Sequence, residues 1–232
     1  GDFYNMQTGQ PMGALVMGGK VINGINSRNF FAVMKDGCAV ICDGSGKVIS
    51  EGEHNGATID LSENVMEAVG GDKISVLDGK LIDMSSDEYG ALKYARAAIG
   101  IKADGSIVTY VTRGKNLPIS HGETYNEVSN KLIKAGCTTV LQLDGGGSAT
   151  FDSKREGEDG LTLRNSPSDG SERNVSSSLL LVSEAPEDGK FDHASVSPVD
   201  EYYTPGSSVE FTAKGVDAYG NAAALPDGCE WQ

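Results

Sequence analysis

One carboxylate and a run of three glycines, directly after an apolar segment, constrain this chain more than any other feature. Residues 140–143 read Val-Leu-Gln-Leu, and residues 144–148 read Asp-Gly-Gly-Gly-Ser. Glycine loses more backbone entropy on folding than other residues, so such a run indicates a sharp bend or a close approach of the backbone. After a strand, the approaching group is often a ligand, and consecutive glycine amides can bind an anion. A tight turn without a ligand is the alternative.

A helix and a buried strand are predicted immediately before this loop. Ser120 and Glu123 have the spacing of a capping box, and Gly136 supplies the expected C-terminal stop. The segment 137–143 is short, apolar and rich in β-branched residues, which is typical of a buried strand. The apolar positions between these signals fall on one helical face: Tyr125, Val128, Leu132 and Ile133.

The first half of the chain contains four turn signals between short apolar runs. Such dipeptides are the strongest short-range indication of β-hairpins. They predict an α+β fold, with a meandering, mostly antiparallel sheet system and one principal helix packed on it. The four dipeptides are Gly18-Gly19, Asp36-Gly37, Asp78-Gly79 and Asp104-Gly105.

The tail changes character and predicts a separate module. Residues 184–193 read as a linker, and residues 194–232 read as the start of a truncated immunoglobulin-like β-sandwich repeat. The main domain is therefore predicted over residues 1–183. Half a sandwich cannot bury its own core. We expect that such a module, followed by further repeats of the same kind, would attach the protein to a cell wall.

Composition narrows the function classes. The chain carries 19 basic and 33 acidic residues, a formal charge of −14. Such a surface repels nucleic acid and anionic membranes, so neither nucleic-acid binding nor membrane insertion is predicted. The four cysteines have no metal-like spacing, and no metal site is predicted from them. No cofactor motif is evident, a divalent ion is left open, and the oligomeric state is not indicated.

Several ordered motifs in register carry a resemblance to a known family. They are Ser-His-Gly at 120–122, Thr124 with Glu127, Gly136-Cys137, Leu-Asp-Gly-Gly-Gly-Ser at 143–148, Tyr-Ala-Arg-Ala-Ala-Ile-Gly at 94–100, and an Asn-x-Pro loop leading to Arg-x-Val at 165–175. Over roughly residues 1–183 the chain resembles the phosphodiester glycosidase family, which includes N-acetylglucosamine-1-phosphodiester alpha-N-acetylglucosaminidase and many bacterial surface proteins. Ala97 stands where the family usually has Thr.

The resemblance implies a secreted or cell-surface bacterial hydrolase. The opening Gly1-Asp2-Phe3-Tyr4 resembles the end of an Asn-Gly-Asp-Phe segment that family members carry after earlier strands. We therefore expect N-terminal strands of the domain to be missing and the activity of this chain to be reduced or lost by truncation. The resemblance also implies a final strand after Arg173.

The chemistry that such a family performs needs few groups. Cleavage at the anomeric carbon of a sugar-1-phosphodiester expels a phosphate monoester, a good leaving group that needs little protonation. The site must supply one carboxylate, which activates water or attacks carbon, and a cradle for phosphate. Asp144 is the first candidate for the carboxylate, although it could instead cap the glycine turn. Glu127 is the second, although an ion pair with Lys131 would give it a purely structural role.

Arginine suits the phosphate cradle because its planar fork forms paired, charge-assisted hydrogen bonds. Arg96 and Arg173 each begin a predicted strand, where a guanidinium can also simply reach solvent. The remaining candidates for substrate and phosphate binding are Gly145, Gly146, Gly147, Ser148, His121 and Asn165.

Taken together, the sequence predicts a hydrolase that cleaves a sugar-1-phosphodiester at the anomeric C–O bond. The expected substrate is a phosphosugar or glycan at the cell surface or outside the cell. A surface adhesin module that binds phosphosugars of a wall polymer without turnover is the alternative.

Overall fold

A computed structural model describes residues 3–118, 120–199 and 202–228. The chain divides into two compact units. The first comprises the residues up to Phe151 together with Asn165–Leu180, and the second comprises Asp152–Arg164 together with the residues from Leu181 onward. Gly1 and Asp2 of the family-like opening, and Cys229, lie outside the described ranges. Within those ranges, no helix has both the length and the apolar character needed to cross a membrane.

Two five-stranded antiparallel sheets form the first unit. The first sheet contains β1 (Leu15–Met17), β2 (Lys20–Asn23), β3 (Phe30–Met34), β4 (Ala39–Cys42) and β5 (Val65–Gly70), in the order β2-β1-β5-β3-β4. The second contains β6 (Ile74–Leu77), β7 (Lys80–Leu81), β8 (Ala97–Lys102), β9 (Ile107–Val111) and β12 (Cys137–Gln142), in the order β7-β6-β12-β8-β9. Between β9 and β12, the strands β10 (Lys115–Asn116) and β11 (Ser120–His121) form a separate two-stranded ladder. The helices of the unit are α1 (Leu61–Asn64), α2 (Tyr125–Lys134) and a 3-10 turn at Gly146–Ser148.

The second unit contains two small antiparallel ladders. One is a hairpin of β13 (Asp152–Ser153) and β14 (Thr162–Leu163), and the other is a three-stranded sheet of β15 (His193–Ser197), β16 (Thr212–Val216) and β17 (Ala222–Ala223). The immunoglobulin-like assignment stays a prediction. All strand ladders described in the chain are antiparallel, and helices are few, so the α+β class is correct at that level.

The four predicted hairpins are confirmed. Each turn dipeptide joins two neighbouring antiparallel strands, namely β1–β2, β3–β4, β6–β7 and β8–β9. The second residue of each turn has a positive φ, such as 89° at Gly37 and 82° at Gly105. L-residues with a Cβ rarely adopt this conformation, and glycine adopts it freely. The turn chemistry therefore sets these connections locally.

The side chains of the two sheets alternate between three apolar clusters. Phe30 and Ala32 point to the outer face of the first sheet, whereas Phe31 points towards the second sheet. In the second sheet, Ile99 and Leu141 meet Phe31, and the residues next to them in sequence face α2. Strand residues point alternately to the two faces, so near-continuous apolar runs indicate strands covered on both sides.

Helix α2 begins later than its predicted cap. Thr124 is the N-cap, and its hydroxyl accepts the amide of Glu127 at 3.1 Å while the Glu127 carboxylate accepts the amide of Thr124 at 2.8 Å. The capping box predicted at Ser120 and Glu123 is therefore wrong by one turn. The Glu123 carboxylate instead accepts Tyr110 Oη–H and pairs with the Lys131 ammonium.

The strand expected after Arg173 is absent. Residues 175–182 form no strand, and Leu180 and Val182 are more than 70 % exposed. Leu179 alone of this apolar run packs against the core between the sheets. Apolar and β-branched residues form a strand only where a neighbouring strand pairs with their backbone, and the local pattern cannot supply that partner.

Leu141 tests the core between the two sheets. Its side chain is fully buried, so Leu141→Ala removes apolar contacts and leaves a cavity that the sheets cannot close. We expect the free energy of unfolding in urea to fall by about 2–5 kcal/mol. Ile107→Ala, at a position 37 % exposed on β9, is the control. Equal losses in the two variants would contradict this packing.

Candidate active site

The candidate catalytic carboxylate lies where β12 leaves the sheet. Beyond the last strand residue, the pairing with the β8 side continues, because Leu143 N–H donates to Ala97 at 2.8 Å and Gly146 N–H donates to Ala95 at 2.9 Å. Asp144 lies between these two bonds. Its backbone is therefore held on both sides, and its side chain projects from a fixed point at the edge of the sheet.

The glycines are required by the close approach of other groups. A Cβ on Gly145 would lie 2.6 Å from the carbonyl oxygen of Ala95, and Gly146 has a φ of +61°. A 3-10 turn follows, in which Ser148 N–H donates to Gly145 at 3.1 Å. The amides of Gly146 and Ser148 therefore donate to carbonyls of the protein itself. The main effect of the glycines is to leave space for neighbouring groups, and fewer loop amides are available to bind an anion.

Arg173 and Asp169 occupy the space that Gly147 leaves free. A Cβ on Gly147 would overlap both the guanidinium and the carboxylate. Arg173 Nε and Nη2 lie 2.8 and 2.7 Å from the same oxygen, Asp169 Oδ2. Both side chains are about 40 % exposed, so the guanidinium is held in one orientation beside the loop while part of it still faces solvent.

Burial raises the pKa of Asp144 above its ordinary value. The Ser148 hydroxyl, the Gly145 amide and the positive charge of Arg173 oppose this shift. The Ser148 Oγ atom is buried and forms no hydrogen bond of good geometry with the described residues. Desolvation favours the neutral form of a carboxyl, and a nearby cation favours the charged one. Asp144 is therefore a poorly solvated carboxylate within the field of one arginine.

Asn165 joins the end of the glycine loop to the segment that carries Arg173. Its amide Nδ2–H donates to the carbonyl of Ala149 at 2.8 Å, and its Oδ1 accepts the Phe151 amide at 2.8 Å. The Ser168 hydroxyl adds a 3.4 Å bond to the carbonyl of Gly146. These bonds order the loop, and a direct contact of Asn165 with substrate stays a prediction.

Arg96 makes a different set of contacts. It is only 5 % exposed, and it donates to the backbone carbonyls of Glu123, Tyr89 and Leu92 at 2.9, 2.6 and 2.6 Å. Its guanidinium carbon also lies 4.3 Å from the centre of the Tyr125 ring. Three donor bonds to backbone favour a structural role in closing the segment before β8. A role in phosphate binding stays a prediction that these contacts do not support.

Both carboxylate oxygens of Glu127 have partners within the fold. One oxygen of Glu127 completes the capping box, and the other pairs with Lys93 Nζ at 2.9 Å. The predicted ion pair with Lys131 is wrong because Lys131 pairs with Glu123. His121 is exposed in β11. Their catalytic and binding roles stay predictions.

Asp169 orients the candidate phosphate ligand Arg173 but is not among the site residues predicted from the sequence. Its spacing from Arg173 is i to i+4, a separation at which oppositely charged side chains often meet. That signal was available, but the serine- and glycine-rich segment around it reads as a loop. In the described part of the chain, the one group of three side chains placed to share a metal ion is Asp36, Cys38 and His54.

The fold and the site thus define an antiparallel α+β domain with a half-buried aspartate, a glycine loop and an oriented arginine. A family model described as phosphodiester glycosidase matches residues 1–182. The chain belongs to this family.

Among solved structures, the chain is similar to the catalytic domain of zebrafish N-acetylglucosamine-1-phosphodiester alpha-N-acetylglucosaminidase, auto-inhibited by its pro-peptide. The identity is 21 %, the TM-score is 0.53, and the match covers 72 % of this chain and 54 % of the zebrafish chain. The chain thus spans about half the length of that structure, and the likeness shows the fold. A hypothetical protein from Synechocystis matches at 13 % identity and a TM-score of 0.43, over 64 % of this chain and 45 % of that one. A search of curated proteins finds no match.

Gly147→Ala tests the close approach of Arg173. The added methyl group overlaps the guanidinium and forces the Arg173–Asp169 pair away from the loop. We expect the Arg173 Nε–H resonance to shift or broaden in NMR spectra while the far-ultraviolet circular dichroism is unchanged. Gly24→Ala is the control because a Cβ there meets nothing within 4 Å. An unchanged Arg173 resonance in Gly147→Ala would contradict the geometry.

The raised pKa of Asp144 predicts a stability change with a definite sign. A carboxyl whose pKa is higher in the native state destabilises that state once it ionises, because the unfolded chain gives up its proton more easily. Asp144→Asn should therefore unfold at higher urea concentration than the parent above the native pKa. The difference should shrink as the pH falls through the native pKa and vanish below the ordinary value of 3.8. A variant that is less stable at neutral pH and equally so in acid would contradict the shift.

Proposed function

We propose that this chain is a hydrolase that cleaves a sugar-1-phosphodiester at the anomeric C–O bond. The observation that carries the proposal is the half-buried Asp144 at the end of β12, in the electrostatic field of Arg173, on a loop that Gly147 opens to the guanidinium. Family membership supports the same reaction class. The sugar, the group on the other side of the phosphate and the activity of this particular chain are parts of the proposal.

In the proposed reaction, Arg173 binds the phosphate oxygens and Asp144 faces the anomeric carbon. Asp144 takes a proton from water as the water oxygen bonds to that carbon, or it attacks the carbon itself and is released by water afterwards. The anomeric C–O bond breaks, and its electron pair stays on the phosphate oxygen. The products are the free sugar and a phosphate monoester, whose second pKa is about 6.

This leaving group explains why one catalytic carboxylate is enough. Ordinary glycosidases expel an alkoxide and need a second carboxyl group as an acid. A phosphate monoester departs as a stable anion, and an arginine that binds its charge takes the place of the acid. Asp169 then serves as the positioning residue that holds Arg173 in orientation.

We also propose that the protein acts outside the cell or at its surface on a glycan-type substrate. This location rests on the resemblance to bacterial surface proteins and on the strand pattern of the tail.

Hydrolysis in ¹⁸O-labelled water tests the bond that breaks. A sugar-1-phosphodiester is the substrate, and the label should appear in the sugar because water attacks carbon. Label in the phosphate monoester would show cleavage of the P–O bond and would overturn the mechanism.

Substitution of Asp144 tests the residue that carries the proposal. Asp144→Asn should lower kcat at least about 100-fold, the usual contribution of a positioned base, while Glu127→Gln should leave kcat nearly unchanged.

Arg173→Gln should raise KM and weaken inhibition by free phosphate, whereas Lys20→Gln, at an exposed position of β2, should change neither. Near-normal turnover by Asp144→Asn would exclude the assigned role. Binding of phosphosugar without turnover by the parent chain would favour the adhesin module instead.

A further inference from the structure

Three side chains with different metal-binding atoms meet on the first unit, among residues that the proposed reaction does not use. Asp36 and Cys38 flank Gly37 in the turn between β3 and β4, and His54 belongs to the loop that follows Ser50. The ligand atoms of the three residues all lie within 4.8 Å of one another. Two separate segments therefore bring a carboxylate, a thiol and an imidazole together.

The local backbone orients the Asp36 carboxylate towards the imidazole. Its Oδ1 accepts the amide of Cys38 at 2.9 Å, and its Oδ2 lies 2.7 Å from His54 Nε2. The turn itself is closed by the 2.8 Å bond from Met34 N–H to the carbonyl of Cys38. The hydrogen bond from the Cys38 amide fixes Oδ1 of Asp36 and leaves Oδ2 able to bind a cation. Metal-ligating carboxylates are commonly oriented by hydrogen bonds of this kind.

The loop that carries His54 is also held by the backbone. Gly56 N–H donates to Val48 at 2.9 Å, and Ala57 N–H donates to the carbonyl of His54 at 3.0 Å. Burial, and after it the negative charges of Asp36 and Glu53, raise the pKa of the Cys38 thiol above its ordinary value. The side chains of Asp36 and His54 are 50 % and 24 % exposed, which leaves an approach from solvent.

We propose that Asp36, Cys38 and His54 form a binding site for Zn²⁺, with water as the fourth ligand. Sulfur and imidazole nitrogen, together with one carboxylate oxygen, are ligands that Zn²⁺ accepts in tetrahedral sites, whereas Ca²⁺ and Mg²⁺ prefer oxygen alone. Metal–ligand distances of about 2.0–2.3 Å place tetrahedral ligands roughly 3.3–3.8 Å apart. Small side-chain movements from the observed arrangement reach that geometry.

Binding changes the protonation of the site in a definite way. The Cys38 thiol gives its proton to water and binds as the thiolate, and the Asp36–His54 hydrogen bond is replaced by two bonds to the ion. The bound ion links the β3–β4 turn to the loop after Ser50. Zn²⁺ therefore stabilises the first unit by binding its native state, independently of the proposed hydrolysis.

Titration of the untagged, metal-free chain of residues 1–232 with Zn²⁺ or Co²⁺ tests this site. We expect one equivalent of Co²⁺ to give a thiolate-to-metal charge-transfer band. Zn²⁺ should bind with a Kd in the micromolar range or below and raise the Tm by several degrees at about 100 times its Kd. Cys38→Ser should abolish the band, and His54→Gln should weaken Zn²⁺ binding at least tenfold. Both variants should keep the circular dichroism of the parent.

Two variants serve as controls. His121→Gln removes an exposed imidazole elsewhere in the chain, and His193→Gln removes the histidine that lies near Asp192 and Glu156. Neither should change the band or the Tm shift. Retention of Zn²⁺ binding in Cys38→Ser and His54→Gln, its loss in His193→Gln, or a Kd above about 1 mM would each overturn the proposal.

Discussion

The candidate site depends on the antiparallel pairing of β8 with β12. Pairing continues beyond β12, where Leu143 N–H donates to the carbonyl of the first residue of β8, Ala97, and Gly146 N–H donates to the carbonyl of Ala95 just before that strand. This continued pairing places residues 143–146 at the edge of the sheet. The backbone of Ala95 then lies so close to Gly145 that a side chain at position 145 would clash with it. Asp144 lies between these constraints. Its half-burial, and hence its raised pKa, follows from where two neighbouring strands end.

Features set by neighbouring residues were predictable from the sequence. The hairpin at Asp104-Gly105, the helix that stops before Gly136, and the buried strand after it all rest on local turn chemistry and periodicity. The strand expected after Arg173 failed because a strand also needs a partner that the local pattern does not specify. The cap of α2 was misplaced because two Ser/Thr–Glu pairs lie four residues apart, and the sequence cannot decide between them.

The predicted site was only partly assembled, for a related reason. Asp144 and Arg173 both lie at the glycine loop, and the charge of Arg173 acts on Asp144. Arg96 and Glu127 instead bind backbone carbonyls, a backbone amide and Lys93. A sequence motif specifies which residue type stands at a position. Which group that side chain binds depends on the segments that the fold brings next to it. The Arg96 guanidinium already donates to three backbone carbonyls, so fewer of its N–H groups remain for a phosphate.

A crystal structure with a non-hydrolysable sugar-1-phosphonate bound to the chain tests the central claim most directly. We expect the phosphonate oxygens to form hydrogen bonds with Arg173 and the anomeric carbon to lie about 3–3.5 Å from the Asp144 carboxylate, within the range for attack. A ligand bound with neither residue in contact, or with the phosphonate held by Arg96 instead, would contradict it.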